Sequence, residues 1–125
     1  MRTSRPAAVA GSFYPSDPDE LRATVEAMLG AAAPGVAPRP DDKAIIAPHA
    51  GYVYSGPIAA TAYARVRARA SGVRRVVLLG PAHRVGFEGV ATSTFDAFET
   101  PLGRVPLDRV ATATVERLPF VFPFD

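Results

Sequence analysis

Two short apolar runs, each leading to a histidine, constrain the fold of this 125-residue chain most strongly. The run over 43–47 precedes His49, and the run over 75–79 precedes His83. Continuous apolar runs of this length are typical of strands that are buried on both faces, as in parallel sheets. The sequence therefore predicts an α/β fold in which two parallel strands end close to the only two histidines of the chain.

The segment between the two runs predicts the helix that would connect such strands. This helix is expected from Pro57 to about Ala68, with Ser55 or Gly56 as its cap and the proline in its first turn. Crossovers of this kind join neighbouring parallel strands and are nearly always right-handed. Open α/β folds place their active sites at the carboxyl edge of the sheet. We therefore expect a partly parallel sheet with flanking helices and both histidines at one edge.

Caps, turn residues and apolar spacing predict the remaining elements. Asp17 and Asp108 are the expected helix caps, and Gly30 the expected left-handed stop of the first helix. The predicted elements are a helix over 18–29, a connecting loop over 31–42, a third strand over 89–93, a turn-rich stretch over 95–106 and a last helix to about Arg117.

Composition limits the classes of protein and partner. A chain with 48% hydrophobic and 21% charged residues is typical of a soluble globular protein. The net charge is only +2, and the arginines are spaced along a helix and its exit, so we expect no nucleic-acid partner. No apolar stretch approaches the roughly 20 residues of a membrane span, and the first residues lack a secretory signal. We expect a cytoplasmic protein with no membrane partner.

The two histidines are the candidate metal ligands. Histidine is the commonest metal ligand in proteins, and the paired placement of His49 and His83 favours one shared site. The alternatives are that His49 packs under a turn and bonds to backbone, and that His83 is solvated in an exposed loop. The chain has no cysteine, which excludes thiolate ligands within this segment.

Two further residues are candidate substrate contacts. Tyr52 and Tyr54 alternate in a segment expected to be extended, so one would pack inward while Tyr54 presents its hydroxyl to the site. Glu99 is the other candidate, against the alternative of an exposed loop glutamate. Phe13 and Tyr14 are expected to hold the N-terminal arm to the body of the protein. No catalytic residue is predicted.

Four motifs occur in order along the chain: Arg5-Pro-Ala-Ala-Val-Ala-Gly-Ser-Phe-Tyr-Pro15, Pro48-His-Ala-Gly-Tyr-Val-Tyr-Ser-Gly56, Leu79-Gly-Pro-Ala-His83, and Glu99-Thr-Pro-Leu-Gly103 followed by Asp108. Together they resemble the Memo-like proteins, called AmmeMemoRadiSam system protein B in prokaryotes. The fold of this family is similar to that of the catalytic subunits of class III extradiol dioxygenases, which hold a non-haem iron with two histidines and a glutamate.

The resemblance implies that His49 and His83 are the two N-terminal metal ligands. In Memo-like proteins a further ligand, a cysteine where the dioxygenases use glutamate, lies in the C-terminal half with a Glu-His-Ser motif and a later histidine. This sequence contains none of them. Residues 1–125 are therefore expected to be the N-terminal part of a single Memo-like domain with an incomplete fold, as the apolar end over 118–125 also indicates. Such a segment alone should bind metal weakly or not at all.

Two functions follow from the resemblance. The first is an iron- or copper-dependent oxidoreductase related to the extradiol dioxygenases. The alternative is a non-catalytic protein that binds a metal, a small molecule or a peptide and acts with partners from the AmmeMemoRadiSam system, because similarity of fold does not establish chemistry. The identity of the third ligand distinguishes the two.

Overall fold

The computed structural model describes residues 4–39 and 41–125. Over these residues the chain is an α/β protein, as predicted, with α-helices, short strands and two 3-10 turns at Ala33–Gly35 and Arg67–Gly72. The elements are, in chain order, α1 (Pro18–Ala32), α2 (Tyr52–Val66), β1 (Val90–Thr92), β2 (Ala97–Thr100), β3 (Gly103–Pro106), α3 (Arg109–Val115) and β4 (Val121–Pro123).

The chain divides into two compact units. The helical unit, Val9–Val77, contains α1 and α2. The strand unit combines the residues up to Ala8 with Leu78–Asp125 and contains β1 to β4 and α3. Each unit is built around its own buried residues.

In the helical unit, α1 and α2 pack against each other. Leu21 of α1 and Ala60 of α2 are buried. Gly56 is also buried, and a Cβ built on it would lie 2.5 Å from the Sδ atom of Met28. The two helices therefore approach closely where α2 has no side chain.

The ends of these helices differ from those predicted. Helix α1 runs through Gly30 to Ala32, so the predicted left-handed stop is wrong; alanines follow the glycine, and alanine is the best helix former. Helix α2 begins at Tyr52, which leaves Pro57 inside the helix instead of at its start. The earlier start has a tertiary cause, because the Tyr52 N–H donates to the Phe13 carbonyl at 2.7 Å. The Phe13 carbonyl, which is distant in sequence, therefore accepts from one of the N–H groups in the first turn of α2, which have no acceptor within the helix.

Arginines of α2 and of the 3-10 turn after it bind the preceding loop and α1. Arg65 Nε lies 3.3 Å from Asp42 Oδ2, and Arg67 Nη2 lies 2.6 Å from Glu26 Oε2. Arg69 donates to the Asp42 carbonyl at 2.6 Å. These guanidinium groups therefore have partners within the helical unit.

The strand unit holds two separate strand pairs. Strands β1 and β4 pair in parallel, with Val90 opposite Val121. Strands β2 and β3 form an antiparallel pair in which Ala97 is fully buried. The Asp108 side chain caps α3 by accepting from the Ala111 N–H at 2.9 Å, as predicted, and this helix ends at Val115.

The two strands predicted over 43–47 and 75–79 are not formed, so this prediction is wrong for the described structure. A strand requires a neighbour for its backbone groups, and neither run has a strand partner among residues 4–39 and 41–125. Parallel pairing does occur, but between β1 and β4. In the part of the chain that the structure describes, no helix has the length and apolar character needed to cross a bilayer.

Candidate functional site

His49 is an exposed residue just before α2, in a segment without regular secondary structure. Two residues later Gly51 caps α2, and a Cβ built on this glycine would lie 3.5 Å from the Cα and O atoms of Phe13. Together with the hydrogen bond from Tyr52 to Phe13, this contact joins the motif at 48–56 to the motif at 5–15. The N-terminal motif therefore helps to position the residues that follow His49.

The two tyrosines after His49 lie in the first turn of α2, not in the extended segment predicted. Tyr52 packs on Tyr14, with ring centroids 5.7 Å apart and planes tilted by 45°. Burial raises the pKa of the Tyr52 hydroxyl above its usual range, and the neighbouring Tyr14 and Tyr63 raise it further. Tyr54 is 83% exposed. The structure therefore directs Tyr52 inward and leaves Tyr54 in solvent.

An open cleft of about 420 Å³ lies where these two motifs meet. Its lining combines the aromatic residues Phe13, Tyr14 and Tyr52 with the polar residues Ser12, Glu20 and Thr24. The lining residues are Gly11, Ser12, Phe13, Tyr14, Pro15, Glu20, Thr24, Met28, Tyr52 and Val53. The sequence assigned Phe13 and Tyr14 only to holding the N-terminal arm, because their proximity to Tyr52 depends on the fold.

His83 lies in the strand unit, exposed and outside the helices and strands. It belongs to a stretch over 73–89 that has no regular secondary structure. The strand on which its predicted position depended is absent, so its place at the edge of a sheet stays a prediction.

The motif that contains Glu99 forms a β-hairpin. Glu99 lies on β2 opposite Arg104, with an exposed side chain, and its N–H donates to the Arg5 carbonyl at 2.8 Å. The turn is closed by Thr100, whose hydroxyl donates to the Gly103 carbonyl at 2.9 Å. Gly103 has a φ of 129°, which disfavours other residues there. The motif therefore has a structural role in the turn.

The described residues do not make a complete metal site. His49 belongs to the helical unit and His83 to the strand unit, so their predicted convergence stays a prediction. Over 4–39 and 41–125 no group of three or more histidine, aspartate or glutamate side chains is placed to hold a metal ion. Two imidazoles supply only part of the donor set that iron or copper requires.

Comparison with known proteins identifies the protein family of this chain. Residues 5–124 match the family model described as "Memo-like protein". A MEMO1 family protein of Methanopyrus kandleri is 44% identical over 120 residues, covering 90% of this chain and 42% of the relative. A MEMO1 family protein of Aquifex aeolicus is 38% identical over 123 residues, covering 98% of this chain and 43% of the relative. The chain therefore belongs to the Memo-like protein family.

The similarity extends to vertebrates. Protein MEMO1 of Xenopus tropicalis is 42% identical over 105 residues, covering 84% of this chain and 34% of the relative. The chain thus spans less than half of the length of the curated relatives it matches.

Proposed function

We propose that this protein is a metal-binding Memo protein in which His49 and His83 donate two imidazole ligands to one iron or copper ion. The observation that carries the proposal is that both histidines lie within the match to the family and are exposed. Imidazole nitrogen suits both metals. When bound, such a metal supplies Lewis-acid or redox chemistry. Over residues 4–39 and 41–125 no group of three or more histidine, aspartate or glutamate side chains is placed to hold a metal ion, so the proposal requires further ligands.

We also propose that residues 1–125 are the N-terminal part of a single Memo-like domain. The curated relatives are more than twice as long as the region they share with this chain, which supports the proposal. The exposed aliphatic side chains of Ile46 and of residues 76–79 support it as well, since apolar side chains of this size are mostly buried in complete domains.

The ligand in this proposal is a small molecule or peptide side chain with a planar apolar face. The cleft at Phe13, Tyr14 and Tyr52 has the aromatic wall for such a ligand and lies on the segment that follows His49. Tyr54, exposed in the same helical turn, is a proposed contact. Glu99 remains a second proposed contact, although its hairpin position also fits a structural role. Partners from the AmmeMemoRadiSam system and a cytoplasmic location are parts of the same proposal.

The proposed activity is that of an oxidoreductase that reacts with dioxygen. A non-catalytic binding protein is the second candidate, because similarity of fold does not establish chemistry. Oxygen uptake in the presence of catechols and cellular reductants distinguishes the two. Uptake by the metal-loaded protein that is absent in His49→Ala supports the enzyme, and no uptake above that variant supports the binding protein.

Metal analysis tests the shared site. The protein to use is a chimera in which this chain replaces the matched region of the Aquifex aeolicus MEMO1 family protein, here called the completed chimera. We expect about one metal ion per chain, and at least a tenfold weaker affinity for it in both His49→Ala and His83→Ala. Equal metal content in all three proteins would contradict the proposal. Glu99→Ala is the control and should keep the metal.

A further inference from the structure

The cleft at the N-terminal motif combines aromatic rings with one carboxylate. Phe13, Tyr14 and Tyr52 supply the rings, and Glu20 of α1 supplies the carboxylate. Among the described residues that line the cleft, none is a lysine, an arginine or a histidine. The ring centroids of Tyr14 and Tyr52 lie 5.7 Å apart, so one small ligand can reach both. Because the face of an aromatic ring attracts cations, the lining favours a ligand with positive charge.

The Glu20 carboxylate is not used by a cation of the protein itself. Two other carboxylates of the helical unit are paired, Glu26 with Arg67 and Asp42 with Arg65. Glu20 is exposed and forms no ion pair with any residue over 4–39 and 41–125. Its carboxylate is therefore available to a cation from solution.

The first turn of α1, which contains Glu20, does not favour an anion in the cleft. Helix N-termini attract anions through N–H groups that have no acceptor within the helix. Here the N–H groups of Asp19 and Glu20 already donate to the Asp17 carboxylate. The carboxylates of Asp19 and Glu20 add further negative charge at this end of the helix. Repulsion between like charges therefore disfavours an anionic ligand.

Ser12 adds a second hydrogen-bond acceptor on a turn that is held in place. Its hydroxyl donates to the Val9 carbonyl at 2.9 Å, so its oxygen is left to accept a hydrogen bond. The Gly11 N–H donates to the Tyr14 carbonyl at 2.8 Å, and Gly11 has a φ of 81°, which suits glycine. These bonds fix the turn without a ligand, and a preformed cleft loses less free energy to ordering when it binds one.

We propose that this cleft binds an organic cation, an ammonium group attached to a planar apolar body. Glu20 is the counter-ion, and the rings of Tyr14 and Tyr52 are the cation–π partners. The ammonium N–H groups are donors, which matches the acceptors of Glu20 and Ser12. The inference rests on the proposal above that the cleft is a ligand site, and it adds the charge of the ligand.

A series of probes with one shape and different charges tests this inference. Benzylammonium, benzyl alcohol and benzoate share a planar ring and carry positive, no and negative charge. Isothermal titration calorimetry with the metal-free completed chimera at neutral pH measures their affinities independently of the metal. We expect benzylammonium to bind at least about threefold more tightly than benzyl alcohol, and benzoate to bind most weakly. Equal affinities for benzylammonium and benzyl alcohol, or tighter binding of benzoate, would overturn the inference.

A matched pair of substitutions in α1 tests the counter-ion. Glu20→Gln should weaken the binding of benzylammonium by about two- to fivefold and leave that of benzyl alcohol unchanged. Glu26→Gln is the control, since it makes the same change in the same exposed helix outside the lining of the cleft. It should leave the affinity for benzylammonium unchanged. Equal effects of the two substitutions would contradict the role of Glu20.

A second pair of substitutions tests the aromatic ring. Tyr14→Leu removes the ring and should weaken the binding of benzylammonium by about two- to fivefold. Tyr14→Phe keeps the ring and should keep the affinity. Equal affinities of the two variants for benzylammonium would contradict a cation–π contact.

A further probe distinguishes the sources of the cation. N-acetyl-lysine methylamide represents a lysine side chain in a peptide. Tighter binding of this probe than of benzylammonium would identify a peptide as the source, and the reverse order would identify a small-molecule amine.

The outcomes separate this inference from the proposed function. If benzyl alcohol binds as tightly as benzylammonium, the cleft stands as a ligand site and the charge proposed for its ligand is wrong. If none of the probes binds, the cleft fails as a ligand site and the inference fails with it. Metal analysis of the histidine variants tests the metal site separately in either case.

Discussion

Among the glycines of the strand unit, Gly89 is the one at which a larger residue would fit worst. Its φ is 100°, a conformation that L side chains rarely adopt, and a Cβ built on it would collide with the carbonyl oxygen of Phe120. The same oxygen accepts from the Val90 N–H at 2.8 Å, next to the pairing of β1 with β4. The glycine therefore permits the close approach of the two strands.

We predict that Gly89→Ala lowers the free energy of unfolding by about 1–3 kcal/mol, because the methyl group would be both strained and overpacked. Urea denaturation followed by circular dichroism measures the change. The control is Gly72→Ala, since Gly72 has an ordinary φ and no atom within 4 Å of a built Cβ. Equal stability of Gly89→Ala and the wild type would contradict the close approach.

Tyr52 should make stability depend on pH in the alkaline range. Burial raises its pKa in the folded state, so the folded state favours the neutral phenol. Its contribution to the free energy of unfolding is fully present below the unfolded pKa of about 10 and is lost as the pH rises through the folded pKa. We predict that, as the pH is raised through the folded pKa of Tyr52, the free energy of unfolding falls less in Tyr52→Phe than in the wild type.

Chemical denaturation across the alkaline range measures this difference. Tyr54→Phe is the matched control, because it removes the same hydroxyl from a tyrosine that is 83% exposed. A decline with pH in Tyr52→Phe as steep as that of the wild type would show that Tyr52 is not buried in solution.

At the scale of elements, α1 depends on its first turn. The Asp17 carboxylate accepts from the N–H groups of Asp19 and Glu20 at 3.0 and 2.9 Å. We predict that Asp17→Ala lowers the free energy of unfolding by about 1 kcal/mol. Asp17→Asn should keep most of the stability, because asparagine is an equally good cap. An asparagine variant as unstable as the alanine variant, in the same denaturation measurement, would argue against capping.

The elements predicted correctly are those determined by nearby residues. The caps at Asp17 and Asp108 and the strand β1 follow from short sequence patterns. The start of α2 was missed because it depends on the Phe13 carbonyl, and the hairpin around Gly103 was predicted only as a turn-rich stretch. The parallel partner of β1 was missed because it lies about 30 residues further along the chain.

The candidate site was predictable only in part, because its members are brought together by the fold. The pattern of residues selected His49 and His83 and the four motifs, and the family is confirmed. The cleft at Tyr14 and Tyr52 was not predicted, since it depends on contact between motifs that lie over 30 residues apart in the chain. The predicted strands before the histidines were wrong for the described structure, because a strand requires a partner that these residues do not supply.

At the scale of the whole molecule, the central claim is the proposal that His49 and His83 bind one metal ion. The histidines require a method that detects coordinated imidazole directly, since loss of metal alone can follow from any change that loosens the protein.

Pulsed electron paramagnetic resonance of the Cu²⁺-loaded completed chimera is the most direct measurement, because it detects the remote nitrogen of each coordinated imidazole. The account predicts signals from at least two imidazoles in the wild type and the loss of one in His49→Ala and of one in His83→Ala. Glu99→Ala should leave the signals unchanged. An unchanged number of imidazoles in either histidine variant would contradict the claim that His49 and His83 bind the same metal ion.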